Sequence, residues 1–279
     1  MLRWNNLVFF ANLLACSSQA GPAQLPGVFY SFLRNCRDET ASPAAKHTVQ
    51  ILLATAQERN CDAGYKKLTK VSTLVLRFAR LVDLSPLADL TNLRSLSLGG
   101  NAISDLSPLV NLGELRELSL GGPFGYNNVR DLQPLRFLKK LKVLILNNNL
   151  LKNLTPLSSL SALEYLDLSH NGIEELNPIK GFVNLTSLQL SGNRISDISP
   201  LASLTNLKIL DLNYNRVADL SPLQGLNQLS FLWVGHNALT SISPLAKKPN
   251  LKVFLLDGNP VFNETTAKTI METYPMLLH

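Results

Sequence analysis

This chain of 279 residues contains few of the side chains on which catalysis and metal binding usually depend. It has four histidines and three cysteines, and aromatic residues make up only 7% of it. A tetrahedral metal site needs several nitrogen or sulfur ligands close together, and the sequence has no such grouping. We therefore expect a protein that is not an enzyme and that needs no metal and no cofactor.

Positive charge is in excess, but its arrangement does not suit nucleic acid. The formal net charge is +6, and the basic residues lie singly or in short clusters such as RFLKKLK (136–142). These clusters lack the interleaved aromatic residues of a single-strand binder and the recognition helix of a duplex reader. We expect no nucleic-acid partner.

Long hydrophobic runs are missing as well. The apolar run LVFFANLLA (7–15) is far shorter than the roughly 20 residues that cross a bilayer as a helix. A positively charged start precedes it and small residues follow, which is typical of a secretory signal over residues 1–20. LLAC (13–16) resembles a bacterial lipobox, in which Cys16 is acylated, whereas SQA (18–20) suits an ordinary signal peptidase. A third interpretation of this segment is a buried N-terminal helix. We interpret residues 21–27 as a flexible tether.

The small number of cysteines agrees with export. If Cys16 is acylated or removed, Cys36 and Cys61 remain, and an even number in an oxidising compartment indicates one disulfide. The alternative is two unpaired buried thiols in a cytosolic protein.

What the sequence does contain is one phrase repeated along most of its length. NAISDLSPL begins at Asn101, and NRISDISPL begins at Asn193. Prolines and asparagines recur every 22 residues, except for one gap of 26 that places a four-residue insertion near PFGY (123–126). Eight repeats run over 71–250, and a ninth strand starts at Leu251. The recurring asparagines are Asn101, Asn127, Asn149, Asn171, Asn193, Asn215, Asn237 and Asn259.

The pattern within each repeat, L-x-x-L-x-L-x-x-N-x-I, predicts a strand of about three residues followed by a turn. So short a strand cannot bury its leucines alone. Stacked in parallel about 4.8 Å apart, such strands form one sheet over a shared leucine core. The asparagine amide can satisfy backbone groups at the turn, and the proline predicts a non-helical return path on the convex side. The fold class is therefore α/β, a solenoid with a curved parallel sheet on its concave face.

The phrase ISDISPLASLTN (195–206) resembles the 22-residue leucine-rich repeat of bacterial internalins, and the resemblance covers residues 71–259. It implies a leucine-rich repeat solenoid that recognises a protein partner, but it names no receptor. We expect no wall anchor, because the chain shows neither a sortase motif nor an immunoglobulin-like domain after the repeats. The stretch from FLRNC (32–36) to CDAGYKKL (61–68) resembles the disulfide-bearing cap of small exported Gram-negative repeat proteins.

Both ends of a solenoid need covering, because an open parallel edge invites aggregation. We predict a helical N-terminal cap over residues 28–70, the repeats over 71–262 and a C-terminal cap helix over 263–279. Ser42 and Pro43 suit the start of a helix in the N-terminal cap. The apolar face of that helix is predicted to consist of Val49, Leu52, Leu53 and Ala56.

The residues between the strand leucines face solvent, and their size and polarity change from strand to strand along the solenoid. Strands two and three present small polar residues, whereas the last three strands present a contiguous apolar patch, which marks an interaction site. Two alternatives for the patch are that the C-terminal cap covers it or that it consists of scattered apolar surface residues. For the insertion, the alternative to a contact role is an insertion that the fold simply tolerates. The predicted partner-binding residues are Ile209, Phe231, Trp233, Val253, Leu255, Tyr214 and Tyr165, with Phe124 and Tyr126 in the insertion.

Acidic residues also recur without forming an evident reaction centre. Asp167 and Asp211 share a strand column two repeats apart, about 10 Å at strand spacing, and we interpret them as solvated surface carboxylates. A second column is predicted to cap backbone amides at a turn of each coil. It consists of Asp83, Asp105, Asp131, Asp197 and Asp219.

The sequence thus predicts a non-enzymatic protein-binding module that is exported and monomeric, with a membrane contact through a lipid anchor if Cys16 is acylated. The expected location is the outer membrane as a lipoprotein, the periplasm or the cell surface. Two alternatives stay open. One is a structural envelope scaffold without a dedicated ligand, and the other is a cytosolic regulator similar to the phosphatase-regulating proteins with 22-residue repeats.

Overall fold

The computed structural model describes residues 31–122, 127–245, 248 and 250–261. The predicted signal segment with Cys16, the tether, the C-terminal cap helix and the insertion residues Phe124 and Tyr126 lie outside the described residues.

One parallel sheet dominates the described part of the chain, and its nine strands follow chain order. Each strand has three residues, as the repeat pattern predicts, and consecutive strands are joined by one coil of the solenoid. The strands are β1 Thr73–Val75, β2 Ser95–Ser97, β3 Glu117–Ser119, β4 Val143–Ile145, β5 Tyr165–Asp167, β6 Ser187–Gln189, β7 Ile209–Asp211, β8 Phe231–Trp233 and β9 Val253–Leu255.

The pairing register follows the repeat period. Leu188 of β6 pairs with Leu210 of β7, 22 positions later, and Glu117 of β3 pairs with Val143 of β4, 26 positions later. The insertion therefore lengthens one coil without shifting the sheet, and the central strand leucines stack in one buried column. These observations confirm the predicted α/β leucine-rich repeat solenoid.

The return path of each coil differs from the prediction. It contains a short 3₁₀ helix with proline at its start, as in Ser199–Ser203, so the predicted non-helical path is wrong. Proline's fixed φ suits a first helical turn, where its missing N–H has no intrahelical acceptor to lose. The aspartate two residues before each of five of these turns accepts a hydrogen bond from the first backbone N–H of the turn. Asp197 Oδ1, for example, accepts from Ser199 N at 2.8 Å.

Three α-helices form the N-terminal cap: α1 Ser31–Arg37, α2 Pro43–Ala56 and α3 Cys61–Leu68. Helix α2 begins as predicted, with Ser42 Oγ accepting from Ala45 N at 3.0 Å. Its apolar side covers the first coil, and Thr48 Oγ1 donates to the Asp83 carbonyl at 2.6 Å. None of the helices in the described residues is long and apolar enough to span a membrane.

A disulfide between Cys36 and Cys61 joins α1 to α3. The predicted pairing is therefore confirmed, and the alternative of two free buried thiols is wrong. Phe32 of α1 is fully buried and stacks on Tyr65 of α3 with ring centroids 5.9 Å apart. The disulfide thus encloses a small apolar cluster that closes the end of the leucine core.

The last coil buries a lysine where the two preceding coils bury leucine. Lys248 stands 22 positions after Leu226 and 44 after Leu204, and it is 3% exposed. Its ammonium donates to the carbonyls of Gln224 at 2.8 Å and Leu226 at 3.0 Å. Burial lowers the pKa of Lys248 from its ordinary value, because a charged ammonium is poorly solvated there.

Lys248→Leu is expected to remove part of the pH dependence of stability. The folded-state pKa is depressed, so the unfolded chain binds the proton more tightly, and wild-type stability rises as the pH is raised toward the unfolded value of 10.5. Urea unfolding at pH 7, 9 and 10 should show a steeper rise for the wild type than for the variant. Lys180→Leu, at an exposed position, controls for the loss of a charge as such. Parallel curves for the wild type and Lys248→Leu would contradict the prediction.

Candidate interaction face

The concave face carries an apolar patch made of Ile209, Phe231, Trp233, Val253 and Leu255. The register places Phe231 between Ile209 and Val253, and it pairs Trp233 with Leu255. The rings of Phe231 and Trp233 stack with centroids 6.0 Å apart. All five side chains are half-buried: each packs against its neighbours in the sheet and keeps one side toward solvent.

Tyr214 stands at the rim of the patch and is held there by a neighbour. Its ring stacks on His236 at a centroid distance of 4.3 Å and an interplanar angle of 8°. His236 Nε2 lies 3.2 Å from Asp257 Oδ2. Tyr214 is nevertheless 57% exposed, so it offers a fixed aromatic edge. Tyr165, another of the predicted contact residues, is half-buried on β5, two strands away from β7.

We call the asparagines that recur once in each coil the ladder asparagines. The residue before them has a left-handed backbone in most coils, which the repeat pattern did not lead us to expect. Tyr214 and His236 have φ of 55° and 54°, and Gly192 has 69°. The glycines in this column leave room for the ring of the preceding coil: a Cβ on Gly192 would lie 2.4 Å from His170 Nδ1. The alternation of glycine with aromatic and histidine residues at one position every 22 residues is the signal that could have revealed this rim.

Two carboxylates, Asp167 and Asp211, stand in one column of strands β5 to β7 with the neutral amide of Gln189 between them, and we call this the carboxylate column. The two aspartates, which we interpret from the sequence as solvated surface carboxylates, lie on the surface but are half-buried and so only partly solvated. Burial raises the pKa of each, against the backbone hydrogen bonds that they accept from Ser169 N at 2.9 Å and Asn213 N at 2.8 Å. The charge of Asp167 raises the pKa of Asp211 further. The centre of the face is thus a confined acidic surface.

Strands β2 and β3 give the opposite end of the face a smooth floor. Apart from Glu117, their outward residues are small, and Gly99 and Gly121 stand two residues after the ends of these strands. A Cβ on Gly99 would lie 2.1 Å from the Gly121 carbonyl oxygen, so no larger residue fits without moving the backbone. Glu117 Oε2 accepts a hydrogen bond from Ser95 Oγ at 2.9 Å. A partner can approach the backbone closely at this end.

The eight ladder asparagines hold neighbouring coils together below this face. In the middle of the solenoid, Asn193 Oδ1 accepts from Ile173 N at 3.1 Å. Its Nδ2 donates to the Leu168 carbonyl at 3.0 Å and to the Leu190 carbonyl at 2.9 Å. Asn127 keeps the same contacts after the insertion, since it donates to the carbonyls of Leu98 and Leu120. Each coil is therefore joined to the preceding one through backbone groups that are buried or partly buried.

A second asparagine column lies on the other side of the strands, and the sequence pattern had not led us to expect it either. Asn184 Nδ2 donates to the Ser161 carbonyl at 2.9 Å, and Asn206 Nδ2 donates to the Val183 carbonyl at 2.8 Å. Both residues are exposed. The recurring asparagine before a leucine, as in TNL (205–207), is the signal for it.

Within the described residues, no group of three or more histidine, cysteine, aspartate or glutamate side chains could hold a metal ion. The described side chains of the concave face offer apolar contact, aromatic stacking and hydrogen bonding to carboxylates.

Comparison with known proteins agrees with this architecture. Residues 91–137, 139–181, 161–203 and 183–225 match the family model described as leucine-rich repeats in two copies. Internalin C2 of Listeria monocytogenes is 30% identical, with a TM-score of 0.70 over 77% of this chain and 92% of that one. The chain belongs to the leucine-rich repeat family.

Other solved structures resemble this repeat protein as well. A leucine-rich repeat protein of Leptospira interrogans is 28% identical, with a TM-score of 0.69 over 77% of this chain and 56% of that one. The functional domain of internalin J of Listeria monocytogenes shares the fold at 22% identity, with a TM-score of 0.61 over 81% of this chain and 52% of that one. No curated protein sequence matches this chain significantly.

Proposed function

We propose that this leucine-rich repeat protein is an exported, non-enzymatic binding module that holds a protein partner on its concave face. The observation that carries the proposal is the apolar patch on strands β7 to β9. Five adjacent aromatic and aliphatic side chains keep a solvent-facing side there, and exposed apolar surface of this kind is stabilised when a partner covers it.

The composition of the patch suits protein recognition more than structural packing. Tryptophan and tyrosine are frequent anchors at protein interfaces, where their large rings bury much area for little lost rotamer entropy. The stacked pair Phe231–Trp233 and the supported Tyr214 are such preorganised groups. The smooth floor of β2 and β3 lets a partner extend along the face, and Phe124 and Tyr126 are proposed as a further contact beside it.

Two separate features of the chain support the proposal of export. Disulfides persist in oxidising compartments and are rare in the cytosol, and Cys36–Cys61 closes the cap. The charged and apolar start of the chain suits a secretory signal. We propose acylation of Cys16, which would attach a monomeric solenoid to the outer membrane or another envelope surface through the tether at 21–27.

Photo-crosslinking in the producing cells tests the concave-face proposal. A benzoylphenylalanine at position 231 should yield a discrete covalent adduct with one protein, because this position lies inside the patch. The same photoreactive residue at exposed Phe137, on the 3₁₀ turn of another coil, is the matched control and should yield none. The double variant Phe231→Ala/Trp233→Ala should bind that partner at least about thirtyfold more weakly in a pull-down, because anchors of this kind contribute about 2 kcal/mol or more.

A structural scaffold without a dedicated ligand predicts a different outcome. In that case positions 231 and 137 would give the same adducts, or neither would give any. The double variant must retain the wild-type circular dichroism spectrum for its loss of binding to count, because a folding defect would remove every contact at once.

A further inference from the structure

The carboxylate column lacks the ion pairs that several other acidic side chains of the solenoid form. On the outer surface, Glu114 pairs with Lys140 and Glu164 pairs with Lys142, in each case with 2.6 Å between Nζ and Oε1. None of the ion pairs within the described residues includes Asp167 or Asp211. These two aspartates are half-buried all the same.

This arrangement is unusual for a chain with a net charge of +6. Partly buried carboxylates without cations cost free energy, since burial weakens their solvation. Against the larger effect of burial, His170 on the rim is close enough for its positive charge, when protonated, to lower the pKa of both aspartates. Neither His170 nor Lys208 before β7 forms an ion pair with them. An incoming cation would therefore find acceptor oxygens that already have a fixed geometry, because Ser169 N and Asn213 N hold one oxygen of each carboxylate.

The column and the apolar patch are continuous. Asp211 pairs directly with Trp233 on the neighbouring strand, about 4.8 Å away at strand spacing. A group that reaches the carboxylate of Asp211 therefore lies beside the indole of Trp233. Asp167 adds negative potential from two strands away, about 10 Å, with the polar Gln189 between.

We propose that the partner segment on this face presents an arginine within about three residues of an aromatic or aliphatic side chain, the arginine binding at Asp211 and the apolar side chain at the patch. This proposal rests on the proposed function and specifies the chemistry of its ligand. A guanidinium fits better than an ammonium, because its planar group can bond a carboxylate and stack on an aromatic face at once. We expect the segment to be extended, because Asp211, Trp233 and Leu255 lie side by side on successive strands and an extended chain can contact them one after another.

A library of random 12-residue peptides displayed on phage, selected on the purified protein, tests this. Peptides that lose binding to Phe231→Ala/Trp233→Ala are kept as patch-dependent. We expect them to carry an arginine close to an aromatic or aliphatic residue. Their synthetic versions should bind Asp211→Asn at least about tenfold more weakly than the wild type, and arginine-to-lysine peptides should bind the wild type less well than their parents.

The variants separate loss of charge from loss of structure. Asp211→Asn keeps an oxygen that can accept from Asn213 N, so the turn after the strand is preserved. Asp197→Asn is the matched control, because Asp197 accepts the same kind of backbone bond from Ser199 N at an exposed turn away from the face. It should leave peptide binding unchanged.

Two results would overturn the inference, and they differ in what they leave standing. If patch-dependent peptides lack basic residues, or bind Asp211→Asn as well as the wild type, the arginine site fails while the concave-face function survives. If no patch-dependent peptide is enriched, recognition of a linear segment fails, and the photo-crosslinking result alone then decides whether the face binds a protein.

Discussion

Asn193→Ala is expected to lower the free energy of unfolding by about 3–5 kcal/mol. The variant removes the hydrogen bond that Asn193 accepts from Ile173 N and those that it donates to the carbonyls of Leu168 and Leu190, together with a longer one of 3.5 Å to the Ser191 carbonyl. Ile173 N is left without its acceptor, which costs about 1–3 kcal/mol for a buried donor. The two carbonyls each keep a hydrogen bond from a neighbouring ladder asparagine, so losing the bonds from Asn193, whose side chain is buried, costs about 1 kcal/mol each. Urea unfolding followed by circular dichroism measures the loss.

Asn184→Ala is the matched control in the same part of the solenoid. Asn184 Nδ2 donates to the Ser161 carbonyl from an exposed position, so water can replace the lost donor. We expect a loss below about 1 kcal/mol. Equal losses for the two variants would mean that a ladder asparagine contributes no more to stability than an exposed hydrogen bond does.

The sequence predicts the sheet well because period and register are the same quantity in a solenoid. A 22-residue repeat puts residue i beside residue i+22, so Phe231 had to lie next to Ile209 and Val253 once the strands were parallel. The insertion before Asn127 did not disturb this, because the extra residues enter a coil after its strand. Neighbourhood along the face was therefore predictable without any knowledge of side-chain conformation.

Burial on that face was not predictable in the same way. Whether Asp167 is solvated depends on how far the side chains of adjacent strands close over it, which the repeat pattern does not specify. The left-handed backbone at Tyr214 was equally hidden, because aromatic residues rarely adopt it. At Tyr214 the hydrogen bonds of the strand before it and of the ladder asparagine after it fix the backbone, and they outweigh the residue's own conformational preference.

The cap illustrates a third limit. Helix α2, with 14 residues and a Ser-Pro start, carries an amphipathic pattern long enough to detect. Helices α1 and α3, with seven and eight residues, are too short to be stable alone. Helix α1 packs on the first coil, where Ser31 Oγ donates to Asp89 Oδ2 at 2.9 Å. Helix α3 packs on α1 and α2, and a disulfide joins it to α1.

Cys36→Ser/Cys61→Ser is expected to lower the free energy of unfolding of the cap by about 3.5 kcal/mol. The bond joins residues 25 positions apart. Without it the unfolded chain regains the conformational entropy of a loop of this length, which stabilises the unfolded state by that amount in the chain-entropy model. The leucine core then opens at β1. Hydrogen exchange should report faster exchange in α1 to α3 and in the first coil, with the central coils affected least because each contacts only its neighbours.

Two comparisons isolate the covalent bond from the contacts around it. Arg37→Ala removes the ion pair between Arg37 and Asp62, which spans the same two helices at the surface, and it should cost below about 1 kcal/mol. Dithiothreitol should weaken the wild type as much as the double serine variant and should leave that variant unchanged. A cap that is equally stable with and without reductant would show that apolar packing of Phe32 and Tyr65 suffices, and it would remove the main physical reason for placing this protein in an oxidising compartment.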